Sequence, residues 1–229
     1  MVEGNKVVAI IPARGGSKSI PRKNLLLIND KPLVAWPILL AKSVSAIDRV
    51  LVSTDDKEIQ AAAASYGAEV PFLRPRELAE DDTPTLPVLQ HCLDYLEEKE
   101  KYSSDIVILL YPTSPFLKKE RIEEALEYFK DPATNSVVSV TKDYGHFWKK
   151  EDDRCTLFFP PERVNRQYAE PLYRENGAIY ISRSQVIRGI KKIVDEEHVS
   201  LLVMKPEENI DIDEKEDLLM AKKKADEAR

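Results

Sequence analysis

The sequence predicts an α/β protein, a three-layer sandwich in which a mostly parallel sheet is covered on both faces by helices. Three observations carry that expectation. Short apolar runs rich in β-branched residues alternate with longer stretches of helical period. The runs are continuously apolar, as in strands buried on both faces. A chain of 229 residues with 43% apolar content can also bury one large core, with at most a small appendage.

In chain order, the runs that read as strands are Val7 to Ile11, Val50 to Ser53, Glu69 to Phe72, Ile106 to Leu110, Ser136 to Val140, Ala178 to Ser182 and Val199 to Met204. Helical periodicity fills Lys57 to Tyr66, Leu86 to Lys99, Arg121 to Lys130 and Lys215 to Ala228. The last of these reads as a solvated helix with Leu218, Leu219 and Ala221 turned inward. The rhythm breaks over residues 142–174, which lack a helical period and carry Phe147, Trp148, Phe158, Phe159, Pro160 and Pro161. This segment reads as an insertion with short strands of its own, a lid or a dimer arm on a single domain.

Composition narrows the function classes. The net charge is −6 with both signs mixed along the chain, which argues against nucleic-acid binding and against a membrane-surface role. No segment approaches the length of a membrane span, and the opening residues MVEGNK lack the apolar core of a secretion signal, so a cytoplasmic protein is expected. Cys92 and Cys155 fit no metal-ligand spacing and are expected to be buried thiols in a reducing compartment.

Against that acidic background, the stretch after the first strand stands out. Residues 13–19 form the loop that follows a β-strand in an open α/β sheet, a usual ligand-contacting position. Gly15 and Gly16 would let the backbone approach an anion and turn N–H groups towards it. Arg14, Lys18, Arg22 and Lys23 add positive charge, and Asn24 adds a hydrogen-bonding amide. A polyphosphate is the natural occupant, with a merely solvated basic loop as the plain alternative. Neither G-x-x-x-x-G-K-[ST] nor G-x-G-x-x-G is present, so the loop is not one of those two phosphate cradles.

A second constellation lies near the other end, in "ENIDIDEKED". If residues 210–213 are extended, Asp211 and Asp213 share a face, and two carboxylates ~5 Å apart repel by about 3 kcal/mol at an effective dielectric of about 20. A divalent cation would relieve that repulsion, and magnesium is commonly held by one or two carboxylates plus phosphates. Equally, Asp213 followed by Glu216 resembles a capping box opening the last helix. Asp55 and Glu58 invite the same capping reading. His91, His146 and His198 have no recognisable catalytic partner, which fits a transfer reaction in which the protein positions groups and stabilises charge.

Taken in order, "IPARGGSKSIPRKN", "VLVSTDD", "LRPRELAEDDT", "PTSPF", "RENGAIYI" and "IDID" resemble the acylneuraminate cytidylyltransferase family, the CMP-sialic acid synthetases, across nearly the whole chain. The resemblance implies a Rossmann-like fold of the nucleotide-diphospho-sugar transferase type and a homodimer whose inserted arm reaches the partner's site. It also implies a Mg2+-dependent reaction in which the anomeric hydroxyl of a nonulosonic acid attacks the α-phosphate of CTP.

Carried onto this sequence, the resemblance assigns the nucleotide to the loop Ala13, Arg14, Gly15, Gly16, Ser17 and Lys18, with Lys23, Asn24 and Arg74. Arg14, Lys18, Lys23 and Asp211 would be catalytic, and Asp211 and Asp213 would hold the metal. Lys149 and Arg166 would meet the sugar carboxylate, Gln167, Asn176 and Tyr180 would line the sugar pocket, and Arg174 would support it. The chain departs from the family pattern at Ser19, where glycine is frequent, and at Tyr111, where many members carry glutamine. Tyr111 brings bulk and a hydroxyl to a position facing the sugar, which points away from N-acetylneuraminate itself and towards a different nonulosonic acid, such as legionaminic or pseudaminic acid. A related transferase using another nucleotide or sugar phosphate, or a nucleotide-binding regulatory module without turnover, would share most of these features.

Overall fold

The structure is a computed structural model that describes residues 4–208 and 210–227, and their side chains apart from that of Arg166. The first apolar run forms β1 (Val7–Pro12), and after the basic loop a two-stranded ribbon of β2 (Leu27–Ile28) and β3 (Lys31–Pro32) leads into α1 (Ala35–Ser43). Then come β4 (Arg49–Ser53), α2 (Lys57–Ser65), α3 (Thr85–Glu100), β5 (Ile106–Leu109) and α4 (Lys119–Glu127). β6 (Ser136–Asp143) is followed by a hairpin of β7 (Phe147–Glu151) and β8 (Arg154–Phe159), then β9 (Leu172–Arg183), β10 (Val199–Met204) and α5 (Lys215–Glu227).

Six strands make the central sheet in the order β10-β6-β9-β5-β1-β4. β1 is parallel to both β4 and β5, and β10 is parallel to β6, while β9 runs antiparallel between β5 and β6. The sheet is therefore mostly parallel, as the continuous apolar runs imply.

Alternate residues of the strands feed two cores. On one face Val7, Ala9, Ile11, Val50 and Val52 pack with Ile38 and Ala41 of α1, Ile59 and Ala63 of α2, and Ile122 and Leu126 of α4. On the other, Val8, Ile10, Leu51, Val107 and Leu109 meet Leu89, Cys92, Leu93 and Leu96 of α3. This is the three-layer arrangement.

Several elements differ from expectation for identifiable reasons. Helix α1 carries no amphipathic stripe to read, because WPILLA is apolar nearly all round and Ala35, Pro37, Ile38 and Ala41 are all buried. Its Pro37 lies in the first turn, where a missing N–H costs nothing. The strand expected over Glu69 to Phe72 shrinks to one bridge between Leu51 and Glu69, since Pro71 cannot donate to a ladder. In α5, Ala221 and Ala225 are the buried positions, whereas Leu219 is exposed. Cys92 is buried but Cys155 is exposed on β8, and both are free thiols.

The irregular segment is less separate than its sequence suggests. β6 and β9 continue the central sheet to the pairs Thr141–Arg174 and Asp143–Leu172, so the ends of the insertion are sheet and its middle is the β7–β8 hairpin. Among the described residues, no helix is long and apolar enough to cross a membrane.

Candidate active site

The carboxyl ends of β1 and β5 open onto one cleft, with the end of β4 behind it holding Arg74, as expected for ligands in open α/β sheets. Leaving β1, Ala13 donates its N–H to the Ser53 carbonyl oxygen at 2.9 Å, carrying the β1–β4 pairing into the loop. The Asn24 amide donates to the Arg14 carbonyl oxygen at 2.8 Å and braces the loop from within. Gly16 and Ser17 complete the turn, and a side chain at Gly16 would meet no neighbour.

Gly15 corrects the anion-cradle reading of the double glycine. Its N–H donates to Asp55 Oδ1 at 2.9 Å instead of facing outward, and a Cβ there would lie 2.8 Å from Asp56 Oδ2. Its smallness serves the packing of the loop against the start of α2. Asp56, one residue later than expected, is the true N-cap: its Oδ1 accepts from Glu58 N at 2.8 Å and from Ile59 N at 3.1 Å. Asp56 and Glu58 also take Arg22, at 2.5 and 2.6 Å.

The late acidic stretch reaches this loop through apolar packing. Ile212 is buried with Ile20, Ile28 and Leu33 of the loop and ribbon and with Ala221 and Ala225 of α5. Its N–H donates to the Thr113 carbonyl oxygen at 2.9 Å, fixing the extended segment beside the end of β5. Asp211 and Asp213 flank the buried isoleucine. Lys23 donates to the Ile212 carbonyl oxygen at 2.9 Å, and Ser19 donates to the Asp213 carbonyl oxygen at 2.6 Å.

The capping-box reading of Asp213 does not hold as drawn. Asp217 accepts the N–H groups of Asp213 and Glu214 at 3.0 and 2.8 Å, so the start of α5 is satisfied without the Asp213 side chain. Burial pushes the Asp211 carboxyl up, opposed by a side-chain hydrogen bond with Thr113, and the nearby Asp213 carboxylate adds to the push. Among the described residues no group of three or more His, Cys, Asp and Glu side chains could hold a metal. A pair of carboxylates fits a hard cation such as Mg2+ whose remaining ligands are phosphate and water.

The cleft has a volume of about 280 Å³ and is lined by Arg14, Lys23, Asn24, Arg74, Asp81 and Tyr111, among others. Arg74 is the buried cation of the group. Its Nε donates to Ser53 Oγ at 3.0 Å, its Nη2 to the Ser53 carbonyl oxygen, and its own N–H to the Thr54 carbonyl oxygen at 2.7 Å. None of these partners is a carboxylate, and burial lowers its pKa. Lys18, largely exposed, reaches the cleft through Asp81 at 2.9 Å.

Tyr111 forms the boundary between this cleft and a neighbouring cavity of about 430 Å³ that also includes Leu86, Leu109, Glu175 and Tyr180. Its hydroxyl pairs with Thr85 at 2.9 Å and its ring meets Tyr180 edge-on, with centroids 6.4 Å apart. Tyr180 donates to Glu175 at 2.8 Å, and burial and that carboxylate raise its pKa. A third cavity, about 320 Å³, joins Lys142, Arg174, Glu175, Asn176 and Asp211. Asn176 borders it, yet its amide oxygen accepts from Ser139 Oγ at 2.6 Å and holds the bulge of β9.

Two of the remaining expected sugar contacts, Lys149 and Gln167, line none of these three cavities. Lys149 is on β7 and pairs with Glu151 at 2.6 Å, and Gln167 sits in a short turn at residues 166–168. The Arg166 side chain lies outside the described residues. His198 does have a partner, Asp195 at 3.0 Å, but that carboxylate also accepts from Asn135 at 2.8 Å and the pair braces the start of β10.

Sequence reasoning passed over Ser53, Asp81, Thr85, Thr113, Glu175 and Gly177, all of which touch the cleft, its cavities or their cations. Five of the six stand inside motifs quoted for the resemblance, so the motif itself was the available signal.

The profile of a family described as cytidylyltransferase matches residues 8–217. CMP-N,N'-diacetyllegionaminic acid synthase from Legionella pneumophila is 37% identical over 213 residues, covering 91% of both chains. Pseudaminic acid cytidylyltransferase from Campylobacter jejuni is 32% identical over 222 residues, covering 95% of both. Among solved structures, CMP:2-keto-3-deoxy-manno-octonic acid synthetase complexed with CTP superposes with a TM-score of 0.72 over 98% of this chain and 100% of its own. At 20% identity that likeness speaks to the fold.

Proposed function

The chain belongs to the nonulosonic acid cytidylyltransferase family, and from that premise we propose that it joins CTP to a nonulosonic acid to give the CMP-sugar and pyrophosphate. The anomeric hydroxyl oxygen of the sugar forms a bond to the α-phosphorus and its proton passes to solvent, while the bond from that phosphorus to the bridging oxygen breaks and pyrophosphate leaves with the electron pair. The observation that carries this reading is the meeting of Lys23 with Ile212 and Asp213, which sets two carboxylates beside the cationic cleft.

In this assignment Arg14, Lys18 and Lys23 hold the phosphates and offset the charge that develops in the transition state. Arg74, buried and with no carboxylate partner among the described residues, offers its remaining N–H groups to the nucleotide. Mg2+, when bound by Asp211 and Asp213, would supply further charge neutralisation at the phosphates. Tyr111 separates nucleotide from acceptor and, with Tyr180, Glu175, Asn176 and Arg174, shapes the sugar pocket. A pocket walled by Tyr111 supports an acceptor of the legionaminic or pseudaminic class, the substrates named for the two relatives.

The hairpin arm supports a homodimer. Trp148 and Phe158 of the hairpin are exposed at 56% and 65%, as is Tyr168 beyond it at 74%, a surface that a second copy would cover, and the arm exchange that the resemblance implies would bring Lys149 and Gln167 to the partner's sugar cavity. The deciding experiment measures pyrophosphate release with several nucleotides and several nonulosonic acids, with and without Mg2+. Release with CTP and one of these sugars is expected; no release with any acceptor of the class would overturn the assignment.

A further inference from the structure

The cations of the opening loop are each paired with an internal carboxylate, and one of those carboxylates stands in the cleft itself. Arg14 Nη1 lies 2.6 Å from Asp81 Oδ1, and Lys18 Nζ lies 2.9 Å from Asp81 Oδ2. Both oxygens of one side chain thus bridge the two cations in the way a phosphate group would. Asp81 lines the same cleft as Arg14, Lys23, Asn24 and Arg74. Its carboxylate is partly exposed, at 44%, and the segment around it is held by short-range turn bonds such as Thr83 N to the Glu80 carbonyl oxygen at 3.3 Å. Such a side chain can leave without disturbing the sheet.

The other pairings differ. Asp56, which takes Arg22, is fixed as the cap of α2, and Asp213, which takes Lys23, is one of the carboxylates that would face the metal. Asp81 has neither duty. A triphosphate engaging Arg14 and Lys18 would bring like charge against it, so phosphate binding and the Asp81 contacts exclude one another.

We propose that Asp81 is an internal anion that competes with phosphate for Arg14 and Lys18, and so sets the affinity of the site for CTP entering and pyrophosphate leaving. The proposal rests on the cytidylyltransferase reading for the identity of those ligands. In the free enzyme Asp81 holds the two cations at the cleft. When CTP binds it gives them up, and when pyrophosphate forms it competes for them again, which weakens product retention. A residue that only shaped the loop, or that ligated the cation, would affect binding in the opposite direction.

The test is equilibrium binding of CTP and of inorganic pyrophosphate, without acceptor, to the wild-type chain, to Asp81→Asn and to Asp82→Asn. The last removes the same charge from the neighbouring residue. Asp81→Asn is expected to bind both ligands about tenfold more tightly, the order set by two partly exposed ion pairs that no longer have to be surrendered, with Asp82→Asn within about twofold of wild type. Unchanged or weaker binding by Asp81→Asn, or an equal gain in Asp82→Asn, would overturn it. Because turnover is not the readout, failure of the chain to transfer cytidylate would refute the functional reading and leave the pyrophosphate comparison to decide the role of Asp81.

Discussion

Lys23 Nζ stands 3.1 Å from Asp213 Oδ1 across 190 positions of sequence. The contact is half of a clasp, since the same ammonium donates to the Ile212 carbonyl oxygen at 2.9 Å. Lys23 therefore does two things at once: it tethers the last extended segment to the opening loop, and it places positive charge between the cleft and the acidic pair.

Replacing Lys23 with Met keeps much of the stem and removes the donor. A hydrogen bond from a charged group contributes about 1.5–3 kcal/mol, so a lower melting temperature is expected. The loss of transition-state charge stabilisation should reduce kcat/KM for CTP by roughly a hundredfold or more. Kinetics and thermal melts on one preparation check both; a melting change with near-normal turnover would confine Lys23 to a tethering role.

The second prediction concerns Ser53, at the carboxyl end of β4. The hydroxyl accepts from Arg74 Nε and the carbonyl oxygen accepts from Nη2, so one residue fixes one edge of the guanidinium. Ser53→Ala removes the first of these and frees the Arg74 head to tilt. If Arg74 binds the nucleotide equally in ground and transition states, KM for CTP should rise about tenfold while kcat stays within about threefold. Equal loss in both parameters would instead place Arg74 in the chemical step.

These sites also show what was legible in the sequence. Strand β1 announces itself as a continuous apolar run, and the four positive charges behind it single out the loop, although a basic run alone also reads as a solvated surface. The alternation around Ile212 likewise reads correctly, with the isoleucine buried and the aspartates flanking it. The role of Gly15 does not, since whether a glycine turns its N–H towards a ligand or makes room for Asp56 depends on a helix start forty residues away. Nor could spacing reveal that Asp217 would satisfy the start of α5 and leave Asp213 to Lys23. Local patterns fix the elements, and long-range pairings decide which of several plausible partners each polar group takes.

The third prediction is a pH dependence centred on His91. Its imidazole packs edge-on against Phe72 at 4.6 Å, and its Nδ1 is buried without a hydrogen-bond partner among the described residues. Burial, then the Arg74 charge, lowers its pKa from the ordinary 6.5, against weaker opposition from Asp94 and Glu77. The unfolded chain therefore binds this proton first, and stability is lost as the pH falls through the unfolded value towards the folded one. His91→Phe fits the same aromatic neighbourhood and cannot titrate. Its melting temperature should fall less than that of wild type on acidification from about pH 7.5 to about 5.5. Parallel melting curves would remove His91 from the acid response.

The last prediction turns on the distance between Gly177 and Asp211. β9 bulges between its pairings with Val138 and Val140, and in that bulge Gly177 adopts φ +73° while Ser139 Oγ accepts the N–H of Ile179 at 2.8 Å. A Cβ at this position would stand 3.2 Å from Asp211 Oδ2. Gly177→Ala thus carries two separable penalties. The left-handed backbone costs an L-residue about 1–2 kcal/mol, visible as a lower melting temperature. The added methyl displaces the carboxylate assigned to the metal, so the concentration of Mg2+ giving half-maximal turnover should rise severalfold while KM for CTP at saturating Mg2+ changes little. Asp211→Asn, on the segment that faces this bulge, leaves the backbone unstrained and removes the carboxylate, and should abolish turnover with no fall in melting temperature, because it removes a charge that burial disfavours. If Gly177→Ala lowers stability but leaves the Mg2+ dependence untouched, the close approach is a packing detail and Asp211 does not need to be held where the bulge places it.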